Sequence, residues 1–488
     1  MNGLVDGAAL TGARTVKADV CIVGTGAGGA PVAKELAEAG LDVVVLEEGP
    51  YVPPEELTAR PGAMLRHLYR DAGQTVTLGN PPVVLPLGRA VGGTTLVNSG
   101  TCFRTPVKVL DRWRGEFGLD LDLEPHFAHV ERQVGVTKVT AELAGRNAAV
   151  VRRGTEALGW SGDFISRNAV GCRGSGVCAF GCPSGAKQHT ALAWMAPAAA
   201  AGATTYASTK ARTIDVRGRR ASAVEATTQS GARLRIEADR IVVAAGTVHT
   251  PLLLADNGLG RGSGQLGRNL SLHPATAALA VMDEDVDLSD GVPQSYYVDE
   301  FVDRGFMLEG IGGPPEYLGA VLPVGAPRHG ELMLDWRRLS QFGLMVSDHA
   351  RGTVRRRFGR PVISYSLNDT DVAVFREGLA ALVDLYTAAG ARSILVTGLG
   401  ELRPGEGDRV RAAPLRARDL KIMAFHPLGT ARAAADPAHG VVDEHLRLHE
   451  LDNVYVADGS VVPSALGVNP QITIMALAVR LARHLTGG

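Results

Sequence analysis

Short apolar runs bounded by glycine and polar residues recur along the chain and define its first elements. Ala18 to Val23 reads as a buried strand. A glycine turn follows, then a helical pattern from about Gly28 to Ala39, stopped by Gly40. Leu41 to Leu46 is a second apolar strand. Two such strands joined through a helix predict a parallel sheet, because only a sheet covered on both faces hides continuous apolar runs. Residues 50–110 are rich in Gly and Pro and lose this periodicity. A long extended excursion inside a compact domain is usually functional. Residues 120–160 read as helical, 170–186 as a Cys/Gly loop, and Lys187 to Ala201 as an Ala-rich helix at least as far as Pro197. Ala203 to Ala207, Ala211 to Val216 and Ile241 to Ala245 are predicted strands. Residues 276–370 hold further strand patterns, among them Phe342 to Val346 and Pro361 to Tyr365. Asp371 to Ala389 is a predicted helix ended by Gly390, Asn453 to Ala457 a strand, and Ile472 to His484 a closing helix.

A length of 488 residues calls for two or three domains. The formal net charge of −1 supplies no overall field to attract nucleic acid or anionic lipid. No apolar run approaches the roughly 20 residues needed to cross a bilayer. The first residues lack the basic start and apolar core of an export signal, so a cytoplasmic location is expected. Five cysteines, an odd number in a large chain, argue against a disulfide framework. Cys21 falls within a predicted buried strand, and Cys102 in a Gly/Thr-rich segment.

The first chemical motif is Gly24-Thr25-Gly26-Ala27-Gly28-Gly29, between strand and helix. Glycines let the backbone approach a pyrophosphate, whose charge the helix N-terminus stabilises. Glu47, with Glu48 beside it, ends the second strand 18 residues after Gly29, where an acid accepts from an adenosine ribose. The unit therefore predicts a dinucleotide site.

Further segments add to this motif. These are GRAVGGTTLVNSGTCFR at 88–104, VAAGTVHTPLLL at 243–254, GQLGRNLSLHP at 264–274, FHPLGTAR at 425–432 and VYVADGSVVPSALGVNPQIT at 454–473. With the N-terminal motif they resemble, in order from about residue 17 to 485, the glucose-methanol-choline (GMC) family of FAD oxidoreductases. The Cys/Gly loop and FMLEGIGGPPEYLG look most like the long-chain alcohol oxidase-like branch. The resemblance implies an α/β and α+β fold: a Rossmann-like FAD-binding domain assembled from separated segments, with an inserted substrate domain of antiparallel sheet plus helices. The expected division is 17–135 (FAD-binding), 136–194 (Cys/Gly loop and helix, on the cap or substrate side), 195–275 (FAD-binding), 276–424 (substrate-binding) and 425–488 (FAD-binding, with the catalytic residues).

His426 and Asn469 match the family's active-site pair. An alcohol must lose its hydroxyl proton before or while its α-hydrogen leaves as hydride; an imidazole can take that proton, and an amide can orient the forming alkoxide. Many members carry a second His where this chain has Asn469. The resemblance places Asp458 and Gly459 at the flavin ribityl and phosphate region, and Pro470 and Gln471 at a helix start facing the flavin ring. It places Gly92, Gly93, Thr94 and Asn98 close to the ring, Arg89 at the pyrophosphate, and the Ala211 backbone at adenine. Val97 stands where members with covalent flavin often carry His. Valine has no nucleophilic atom, so non-covalent FAD is expected. His249 and His273 read as structural. Glu309 either faces the pocket or is salt-bridged or exposed.

The expected partners are a small-molecule alcohol, either hydrophobic and steroid-like or a sugar or polyol, and oxygen or another electron acceptor. A lyase on the same flavin fold, and a non-catalytic flavoprotein, are the alternative readings. Cys172, Cys178 and Cys182 are separated by five and three residues within a glycine-rich loop. Three thiolates at this spacing suit a three-iron cluster, with zinc less suited for want of an adjacent fourth ligand other than His189. Free or paired structural thiols are the other reading.

Overall fold

The computed structural model describes residues 3–487, and two large sheets organise them. The first is built on six parallel strands in the order Leu4–Asp6, Thr204–Ala207, Val43–Leu46, Arg14–Val23, Arg233–Val243 and Val454–Val456. Val20, Cys21, Ile22 and Val43 to Leu46 are buried on both faces, as their unbroken apolar runs require. The helices Gly29–Glu38 and Gln471–Leu485 pack together against this core. An antiparallel hairpin, Thr209–Arg217 with Arg220–Thr228, continues the sheet beside the first half of Arg233–Val243.

The second sheet has ten strands. At its centre Ala275–Val281, Leu339–Val346 and Phe306–Gly310 pair antiparallel. The long helices Asp369–Ala388 and Ala141–Leu158 lie against it. Asn368 caps the former by accepting from Asp371 N at 2.8 Å. Strand alternation then divides the neighbours. Phe306 and Leu308 join the core shared with Phe375 and Leu379, whereas Met307 belongs to the core of the first sheet. Glu309, two residues on from Met307, points the same way, into a cavity between the sheets.

Several elements differ from the sequence pattern. The first sheet begins ahead of residue 17, with Leu4–Asp6 and Arg14. Within the irregular stretch 50–110, Thr75–Val76 and Val83–Leu85 are short strands of the second sheet. The stretch 120–160 holds two helices, Glu124–Gln133 and Ala141–Leu158. The expected helix from Lys187 starts only at Ala191, with a π-type turn over Ala191–Met195 before Ala196–Ala200.

Candidate active site

A cavity of about 760 Å3 runs from the glycine turn to the second sheet. At one end the chain leaves strand Arg14–Val23 through Gly24, whose φ of +109° is open to glycine, and enters helix Gly29–Glu38. A Cβ on Gly28 would sit 1.5 Å from the carbonyl oxygen of Ala457, so the turn packs directly on the backbone before Asp458. Gly24, Gly26, Ala27 and Gly28 line the cavity; Gly29 stands behind the wall, closing the turn. Glu47 also lines it. Its Oε2 accepts from Thr25 N (3.1 Å) and Thr25 Oγ1 (2.6 Å), and its Oε1 from Gly49 N (2.8 Å). Burial nevertheless pushes its carboxyl above the usual range.

Glu48 accepts from Lys210 (2.6 Å) and Arg70 (2.8 Å), and Arg89 lies 3.9 Å away. Burial opposes its charge, but these cations outweigh burial and hold it well below the carboxylate range. Arg89 and Ala211 line the same end of the cavity. Along its floor, Asp458 accepts from Gly246 N (2.9 Å) and Ser460 N (2.8 Å), with Gly459 beside it.

Gly93, Thr94 and Asn98 line the middle of the cavity; Gly92 lies just behind, its N–H donating to Thr25 Oγ1. Asn98 Nδ2 donates to Gln471 Oε1 at 3.0 Å, and Gln471 Nε2 to Thr101 O at 2.7 Å. This pins the start of helix Gln471–Leu485, where Pro470 and Gln471 line the cavity. Val97 is buried in the same wall.

At the far end stand His426 and Asn469. Asn469 Nδ2 lies 3.3 Å from His426 Nε2 and 3.5 Å from Glu309 Oε2. Burial, then the neighbouring His273, holds the His426 imidazole well below its ordinary pKa, so it is neutral at physiological pH. The His273 ring crosses it edge-on with centroids 5.5 Å apart. His273 Nε2 accepts from Leu466 N at 2.8 Å, anchoring the loop that carries Asn469.

Glu309 is a residue the sequence left open. It is buried, takes a 2.7 Å hydrogen bond from Gln294 Nε2 on its Oε2, and has no partner for Oε1. Burial pushes its carboxyl up to about 7. A single acid inside FMLEG was a signal for it; Gln294 carried none. His426 Nδ1, Asn469 Oδ1 and Glu309 Oε1 are all shielded and unpartnered.

The three loop cysteines do come together. With Arg167 and Lys187 they line a cavity of about 10 Å3, and all three are free thiols. Yet among the described residues no three His, Cys, Asp or Glu side chains are grouped to hold a metal ion. The iron–sulfur expectation for Cys172, Cys178 and Cys182 is therefore not supported. The buried Arg167 guanidinium donates to Cys178 Sγ at 3.1 Å, and Lys187 donates to Cys178 O (2.8 Å) and Asn98 O (2.6 Å). These contacts brace the wall that carries Asn98.

The family models of GMC oxidoreductases match residues 65–275 and 348–478. The chain is 44% identical to an uncharacterised GMC-type oxidoreductase of Mycobacterium tuberculosis, over 96% of this chain and 75% of that one. It is 28% identical to a long-chain-alcohol oxidase of Arabidopsis thaliana, over 95% of this chain and 66% of the plant protein. The solved structure of pyridoxine 4-oxidase from Mesorbium loti shares the fold, with a TM-score of 0.74 and 20% identity, covering 96% of this chain and 99% of that one. Among the described residues no helix is long and apolar enough to cross a membrane. The chain belongs to the GMC oxidoreductase family, with its likeness to the alcohol oxidase branch, and is an FAD-dependent oxidoreductase.

Proposed function

We propose that the chain oxidises a hydrophobic primary or secondary alcohol to its aldehyde or ketone, with His426 as base and Asn469 as the alkoxide's hydrogen-bond donor. The observation that carries this is the pairing of His426 Nε2 with the Asn469 amide, 3.3 Å apart at the end of the cavity. A hydroxyl placed between them donates to Nε2 and accepts from Nδ2. Proton transfer to the imidazole leaves an oxyanion facing the amide N–H, which stabilises it as charge develops. The elongated cavity, the glycine turn at one end and a helix N-terminus at the other fit FAD. Gly24, Gly26, Ala27, Gly28, Glu47, Arg89 and Asp458 would hold its phosphates and sugars, and Asn98, Pro470 and Gln471 its ring. When bound, the flavin accepts the hydride from the alcohol carbon.

The reaction end is largely apolar apart from this polar cluster. Ile311, Met345, Phe425 and Tyr317 contribute to the wall, which suits an alcohol with an extended hydrocarbon part. The similarity to long-chain-alcohol oxidases supports the same substrate class, and their activity makes oxygen the proposed acceptor. An anaerobic panel of aliphatic alcohols, steroid alcohols and sugars tests the assignment. Flavin bleaching with the apolar members is expected, and bleaching by sugars alone would overturn the substrate class.

Non-covalent attachment follows from Val97, which offers the ring no nucleophile. Acid precipitation of the holoenzyme is expected to leave the yellow colour in the supernatant. Flavin that sediments with the protein would contradict this.

Glu309 gives a pH test. Its folded pKa of about 7 lies above the ordinary value of about 4.3 for glutamate, so the folded state binds this proton more tightly. Its contribution to stability is full below pH ~4.3 and is lost as pH rises through about 7. Between pH ~5.5 and ~8 the loss is about 2 kcal/mol, which Glu309→Gln should abolish. An inflection near pH 7 is also expected in the rate of flavin reduction, because Glu309 lies beside the Asn469 amide, and it should be absent from Glu309→Gln. A Glu309→Gln variant whose melting and rate profiles track the wild type would show that this carboxyl does not titrate there.

A further inference from the structure

The strands Thr353–Arg357 and Arg360–Ser364 form a two-stranded hairpin on the rim of the cavity, to which Arg356, Gly359 and Pro361 contribute. Its two faces differ. On the inner face Val354 and Ile363 are buried, and Arg356 is paired with Asp256 at 2.7 Å. On the outer face Arg355, Arg357 and Arg360 are exposed, and among the described residues none has a carboxylate within ion-pair distance. Arg357 and Arg360 are direct cross-strand partners. Like charges so placed repel each other and destabilise the pair.

The turn itself adds two further costs. Its central residues are Phe358 and Gly359, with φ of +50° and +72°. A two-residue turn of this kind favours Asn or Asp before Gly, and a bulky aromatic at positive φ is an outlier. The Phe358 ring is also 89% exposed, with the Arg357 guanidinium 5.1 Å from its centroid. At the base of the hairpin Leu78 bridges to Ser364 and is 65% exposed, and Val76 is exposed beside it in sequence. A repelling pair and a strained aromatic therefore meet at the tip of the hairpin, with an uncovered aliphatic, Leu78, at its base.

We propose that this hairpin docks the protein on an anionic membrane surface. Phe358 would enter the interfacial layer, and Arg355, Arg357 and Arg360 would bind lipid phosphates, for which a guanidinium fork is suited. Three cations clustered at a tip suffice locally even though the whole chain carries a net charge of −1, because the field that matters acts within a Debye length of the membrane. The inference is independent of which alcohol is oxidised.

Co-sedimentation of the FAD-loaded full chain with phosphatidylglycerol vesicles, at about 0.1 M salt, tests it. Binding is expected to these vesicles and not to phosphatidylcholine ones, and to fall as salt rises. Each clustered arginine is worth about fivefold, so the Arg355→Gln, Arg357→Gln, Arg360→Gln triple variant should bind about 100-fold more weakly. Phe358→Ala should bind about tenfold more weakly. Both variants should keep wild-type flavin absorbance and melt at or above the wild-type temperature, since each removes a destabilising feature of the hairpin. Equal binding to both lipids, no binding to either, binding unchanged in the variants, or capture by a nucleic acid column with no vesicle binding would each overturn the proposal.

Discussion

Replacing His426 by alanine is expected to slow flavin reduction by a substrate alcohol about 10²- to 10⁴-fold, the range lost with a general base, while FAD remains bound. The expectation rests on position and charge together. The imidazole stands at the end of the cavity, beside the Asn469 amide and away from the glycine turn that would carry the cofactor's phosphates. Burial and His273 keep it neutral, so its lone pair is available at neutral pH. Anaerobic stopped-flow measurement of flavin absorbance reads the chemical step directly, and the flavin spectrum of the purified variant reports binding. A variant that reduces its flavin at the wild-type rate would show that another group takes the proton.

Asn469→Ala is the second large expected effect. Removing one preorganised donor to a developing oxyanion typically raises a barrier by about 2–4 kcal/mol, or about 30- to 1000-fold in rate. The loss should fall on the rate of reduction more than on alcohol binding, because the hydrogen bond strengthens only as the hydroxyl loses its proton. Asn469 also lies 3.5 Å from Glu309 Oε2, leaving Gln294 as the remaining donor to that carboxylate. The pH inflection attributed to Glu309 should therefore move upward in this variant, since one hydrogen bond favouring the ionised form is gone. An unchanged rate of reduction would remove Asn469 from the mechanism.

Much of this was readable in the chain because the signals are local. The glycine turn and its flanking strands are contiguous from residue 18 to 47, so pattern and motif coincide. The segments around His426 and Asn469 identify the family even though the two residues meet only through folding. Other parts depend on partners far along the chain. Arg233–Val243 showed only its last, doubly buried residues as a strand. Its first half, RLRIEA, alternates in burial, because there the hairpin Arg220–Thr228 lies alongside instead of Val454–Val456. Thr75–Val76 and Val83–Leu85 are too short to carry a period and exist by pairing with the second sheet. The orientation of Glu309 depends on the register that pairs it with Gly343 and Tyr297, which no local pattern specifies. The cysteine spacing suggested a ligand set, but folding brought a buried guanidinium to Cys178 and, among the described residues, left no metal-binding group.

The most direct test of the central claim is an anaerobic reaction of the FAD-loaded protein with an apolar alcohol and with the same alcohol deuterated at the reacting carbon. Loss of the oxidised flavin band, with formation of the matching aldehyde or ketone and a slower reaction for the deuterated substrate, is the predicted result. A flavin that stays oxidised with every alcohol, yet is bleached by a chemical reductant, would contradict it.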